Sequence, residues 1–163
     1  MKLLRPAIVM LILVPFIIGI GCSDKSSNSS VDMPADLVGT WWFTSATMND
    51  VPVTDITEIS HSGQAASMSI TFNTDATYSG TEYDDSQIPV FTQSGEVSEV
   101  DGNSLTIRRT EYNGTPVSPP QEFPSTYAVA GSQLTMTETA VVGSETLTLV
   151  TVFTKGVIAT RLN

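Results

Sequence analysis

Residues 67–78 read Ser67-Met68-Ser69-Ile70-Thr71-Phe72-Asn73-Thr74-Asp75-Ala76-Thr77-Tyr78. Met68, Ile70 and Phe72 alternate with Ser67, Ser69 and Thr71, the period of a strand with one buried and one wet face. Asn73-Thr74-Asp75-Ala76 is turn chemistry and Thr77-Tyr78 resumes the strand pattern, so the stretch predicts an antiparallel hairpin. The same pattern recurs downstream. Leu105 and Ile107 alternate with Thr106 and Arg108, and Leu134 and Met136 alternate with Thr135 and Thr137. Asp101-Gly102-Asn103 and Ala130-Gly131-Ser132 supply the turns between neighbours. Strands are expected at 40–47, 67–72, 76–83, 91–100, 104–112, 125–129, 133–139 and 145–154, with a ninth at 157–162. No helical period is sustained after Gly39. Hairpins in series imply an all-β meander, an antiparallel up-and-down β-barrel of about eight strands, with a β-sandwich as the alternative.

The one long connection, residues 48–66, contains Pro52 and a single helical turn capped by Asp55, with Glu58 three residues later. Its length suits a lid or binding loop, and equally an inert excursion.

Upstream, Lys2 and Arg5 precede an apolar run at 7–20 and then Gly21 and Cys22, the order of a signal peptide. Residues 7–21 would reach roughly 22 Å as a helix, short of a ~30 Å hydrocarbon core, and Pro15 interrupts them. The expected division is a signal peptide at 1–21, a lipidated cysteine and flexible Ser-rich tether at 22–35, and a barrel domain at 36–163. Cys22 is the sole cysteine. An exported chain with one cysteine has no internal disulfide, and acylation would give that thiol a use. Gly19 and Gly21 also satisfy the small-x-small rule of secretory cleavage, which leaves a secreted or periplasmic protein as the alternative.

The chain carries 7 Lys and Arg against 17 Asp and Glu, net -10. Losing Lys2 and Arg5 with the export segment takes the balance to -12. Nucleic acid is a poor partner for such a surface.

Ile20, Gly21 and Cys22 resemble the end of the lipobox of bacterial lipoproteins, whose cysteine receives diacylglycerol and palmitate chains. By resemblance to enteric sorting rules, Ser23 after the cysteine implies the outer membrane. Leu37-Val38-Gly39-Thr40-Trp41 resembles the Gly-x-Trp start of the lipocalin superfamily, and of small lipocalin-like lipoproteins of bacteria in particular. Phe72-Asn73-Thr74-Asp75-Ala76-Thr77-Tyr78 is similar to their hairpin motif, with Ala76 where glycine is usual. Gly102 to Thr106 and Gly131 to Thr135 fit their later Gly-x-x-Leu-Thr entries. The resemblance implies that Gly39 and Trp41 plug the closed end of the barrel. It also implies an arginine packed over the ring, for which Arg161 is the candidate, a solvated tail residue being its other reading.

Inward candidates are Phe43, Met68, Ile70, Phe72, Ile107, Tyr127, Met136 and Phe153, which would line a ligand pocket or simply fill the core. A connected apolar cavity of ~300 Å³ or more beneath residues 48–66 separates the two. The expected function is a cell-envelope lipoprotein, membrane-held through its acyl anchor, whose barrel binds a small apolar or amphipathic ligand. The alternative is a packed barrel that docks an envelope protein. No cofactor or metal is expected, and no catalysis. His61 stands without the clustered partners that hydrolytic or metal chemistry requires. Glu82, Asp84 and Asp85 form the densest acidic group, read as a solvated loop because the Asp-x-Asp-x-Asp-Gly calcium loop is absent.

Overall fold

Nine strands form where the alternation and turn signals fall: β1 (Gly39–Met48), β2 (Val51–Pro52), β3 (Ser67–Phe72), β4 (Thr77–Tyr83), β5 (Pro89–Asp101), β6 (Ser104–Tyr112), β7 (Thr115–Ala130), β8 (Gln133–Val142) and β9 (Glu145–Lys155). The computed structural model describes residues 31–156. The expected strand at 157–162 lies outside them, as do Cys22 and Arg161.

From β3 to β9 each strand pairs antiparallel with the next, β1 pairs with β3, and β1 returns to β9 from Trp41↔Lys155 to Met48↔Leu149. That last ladder closes an eight-stranded up-and-down barrel and removes the β-sandwich alternative. β2 is an appendage on the end of β1, reached through Asn49 and Asp50, both at positive φ.

Two of the boundaries that differ from expectation have identifiable physical reasons. Ala76, expected to begin a strand, sits at φ 62° in the turn before β4, the conformation that makes glycine usual there. β7 begins at Thr115 instead of 125. Pro116, Pro119, Pro120 and Pro124 read as strand breakers, since each removes a ladder donor. Here the proline-rich part pairs on one side alone, with β6 through Tyr112↔Thr115, Glu111↔Pro116 and Arg109↔Gln121. Its ladder to β8 starts only at Ser125↔Glu138. The wall is therefore parted between β7 and β8 from that rung to the end carrying the 113–114 turn.

The opposite end is packed shut. Trp41, Leu37, Phe72 and Leu134 are fully buried there, with Leu105 1% exposed. The Trp41 indole N–H donates to the Leu37 carbonyl at 2.7 Å. Lys155 holds its ammonium 4.9 Å from the Trp41 ring centre and donates to the Asp36 carbonyl at 3.3 Å. Gly39 has φ 130°, and a Cβ there would lie 2.9 Å from Lys155 Cε. The Gly-x-Trp pattern is thus a requirement of close packing. Val31 and Met33 join this core, so the packed domain begins before residue 36 and includes part of the expected tether.

Lys155→Met keeps the stem on Trp41 but removes the cation, and is expected to cost about 1 kcal/mol of unfolding free energy. Urea titration of the two proteins checks it, and identical midpoints would remove the cation from the account.

Candidate functional site

The inward parity of each strand continues past the apolar residues into polar ones. On β4 the series runs Tyr78, Gly80, Glu82; on β6 Leu105, Ile107, Arg109; on β8 Leu134, Met136, Glu138. Leu105 and Leu134 fill the closed end. Tyr78 and the later members border a cavity of about 460 Å³.

Met68, Ile70, Ile107, Met136 and Phe153 all lie on this cavity, joined by Phe91, Phe123 and Leu149. Phe43 and Phe72 belong to the packed core, where Phe43 meets Phe153 edge-on at 6.3 Å. Tyr127 packs partly buried at the closed end and donates its hydroxyl to the Gly102 carbonyl at 3.2 Å. These three do not border the cavity.

The loop between β2 and β3 covers the cavity with Glu58, Ile59, Ser60 and His61. Its 3₁₀ turn, Ile56–Glu58, has the expected cap, the Asp55 carboxylate accepting from the Thr57 N–H at 2.9 Å. Glu82, only 3% exposed, fastens the loop from inside. One carboxylate oxygen accepts the His61 backbone N–H at 2.7 Å and lies 3.1 Å from Nδ1 of the same residue. The other accepts the Ser62 backbone N–H at 2.9 Å and hydroxyl at 2.7 Å. Burial pushes the Glu82 carboxyl up, but these His61 and Ser62 hydrogen bonds together hold it below the ordinary range. The His61 ring lies flat on Phe91 at 4.7 Å. Glu82 is therefore no part of a solvated acidic loop with Asp84 and Asp85. Asp84 instead caps the next turn, accepting from the Ser86 and Ile88 N–H groups.

Arg109 is 2% exposed. Its terminal nitrogens donate to the side-chain oxygens of Gln93, at 3.0 Å, and Gln121. Phe123 and Tyr112 lie 4.9 and 5.4 Å from the guanidinium carbon. Its Nε–H is buried without a partner. Burial draws the Arg109 pKa down, while Tyr78, Tyr112 and Glu138 oppose that shift. Burial pushes the Glu138 carboxyl above the ordinary range, against the pull of His61 and Arg109, and raises the Tyr78 hydroxyl to about 12.

Sequence reasoning missed Glu82, Arg109 and Glu138 as interior residues. The signal was the two-residue period itself, carried one step past the last apolar member. Among the described residues no three His, Cys, Asp or Glu side chains gather as a metal site.

Fold and site together define a closed β-barrel with a lidded interior cavity that is apolar along most of its wall and carries a buried cation. No protein-family model matches the chain, and no curated protein matches it. Among solved structures the chain is similar to a double mutant of the vaccine antigen transferrin binding protein B from Haemophilus parasuis Hp5, at 14% identity and a TM-score of 0.38. The likeness covers 72% of this chain and spans 25% of that one.

Proposed function

We propose that the protein is a cell-envelope lipoprotein, held at the outer membrane through an acylated Cys22, whose lipocalin-like barrel binds one small apolar or amphipathic molecule. The observation that carries this reading is the cavity. At about 460 Å³ it exceeds the ~300 Å³ lower bound of small-molecule sites. Bulky side chains in a barrel of this size could have filled the interior, as an interaction module without a ligand would require. Anchoring draws its support from the export segment, the lone cysteine and the Ser-rich stretch after it. The lipocalin resemblance gains support from the Trp41 plug, over whose ring the Lys155 ammonium lies.

Native mass spectrometry of the protein released from membranes tests the reading. The expected result is a co-purifying small molecule at one per chain, lost on denaturation, and an N-terminal peptide that begins at an acylated Cys22. A ligand-free protein that also fails to take up an apolar probe would overturn the binding half in favour of the protein-docking alternative. An unmodified Cys22 in the mature protein would overturn the anchor.

A further inference from the structure

We infer that the cavity takes a ligand with a single carboxylate head, held by Arg109 beside the parting between β7 and β8, and an apolar chain lying against Met136 and Phe153. This rests on the cavity being a binding site and names the chemistry it selects.

Arginine stays charged in proteins, and a buried charge is costly without an ionic or fully hydrogen-bonded partner. The two amides that Arg109 reaches are neutral acceptors. Arg109 takes part in neither of the ion pairs found among the described residues, His61–Glu82 and Arg108–Glu96. Glu82 cannot serve it as counter-ion, since both of its oxygens are engaged by the lid loop. Glu138 acts on the guanidinium through space without forming an ion pair with it, and an Nε–H left buried and unpartnered completes a cation that no carboxylate among the described residues pairs with directly.

The surroundings narrow the missing partner. Phe123 and Tyr112 pack against the guanidinium, and its in-plane N–H groups match the two oxygens of a carboxylate. One cation on a wall that also carries Glu58, Glu82 and Glu138 favours one negative charge over two. Arg109 is opposite Gln121 on the proline-rich part of β7, and Glu138 is on the last rung before the wall parts.

Octanoate, octanol and octylammonium separate the possibilities, titrated calorimetrically into the full chain in lipid nanodiscs with empty nanodiscs subtracted. Octanoate is expected to bind roughly tenfold or more tightly than either of the others. Arg109→Met should reduce octanoate to the level of octanol. Octanol or octylammonium binding the unaltered protein as tightly as octanoate would overturn the head-group assignment while leaving the cavity reading intact, and needs no variant to fold. An Arg109→Met protein that folds and still prefers octanoate would overturn it too. If none of the three binds, the cavity reading itself fails, and the assignment with it.

Discussion

Trp41→Ala is expected to lower the unfolding free energy by about 3–5 kcal/mol, the range for removing a fully buried tryptophan. Trp41 heads the fully buried side chains, and three interactions depend on its ring. Its N–H satisfies the Leu37 carbonyl, its face carries the Lys155 ammonium, and its bulk closes the barrel between β1 and β9. Alanine leaves a void bounded by strands that are already paired on both sides, so little collapse can repair it. Since domains of this kind have about 5–15 kcal/mol in total, the variant would be at the edge of folding. Urea unfolding followed by circular dichroism measures the change, with Trp41→Phe expected to fall between the two. A loss below about 1 kcal/mol would show that the plug is not what closes this end.

Glu82→Ala is expected to cost about 2–4 kcal/mol, because four hydrogen bonds to a buried carboxylate vanish at once and only part of the loss is recovered when the freed donors meet water. The effect should be local as well as global. Amide protons of residues 53–66 should exchange faster by hydrogen–deuterium mass spectrometry, while those of β6 and β8 keep their order of protection. Unchanged exchange in the loop would remove Glu82 as its fastening.

The same residue sets an acid limb. The folded Glu82 carboxyl titrates below its ordinary value of roughly 4.3, so its contribution is complete above that pH and drains away as the pH falls through the lower folded value. Asp55 and Asp75, held low by hydrogen bonds from Thr57 and Thr77, act in the same direction. Glu138 has the opposite sign. Its carboxyl is raised on folding, so its contribution is present at low pH and lost as the pH rises through the folded value. Denaturant midpoints from pH 3 to 7 should therefore fall on the acid side, and fall less steeply in Glu82→Gln.

Much of the barrel was legible in residues 67–112. β3 and β6 have the predicted bounds, Ser67–Phe72 and Ser104–Tyr112, because one-faced burial writes itself into a period of two. The Asp55 cap was legible for a similar local reason, a carboxylate at the fixed reach of the next turn's amides. The first half of β7 was not. Its prolines are breakers in a strand paired on both sides and harmless in one whose β8 edge is unpaired, and pairing is a property of the neighbour.

For the cavity, alternation identified Met68, Ile70, Ile107, Met136 and Phe153 and stopped where charge began. Arg109 and Glu138 have the same parity as the apolar residues before them, yet a charged residue at a strand's end is ordinarily solvated. Only closure of the barrel turns that end inward.

The sequence by itself therefore determined a serial-hairpin β meander and one long connection, consequences of local periodicity and turn chemistry, while the plugged end was legible only through the resemblance carried by Gly39 and Trp41. The tertiary structure alone decided that the interior is left unfilled beneath His61, and that an arginine is enclosed there with no ion-pair partner among the described residues. Both depend on which side chains from β4, β6, β7 and β8 meet across the barrel. No local propensity specifies a partner that arrives from another strand.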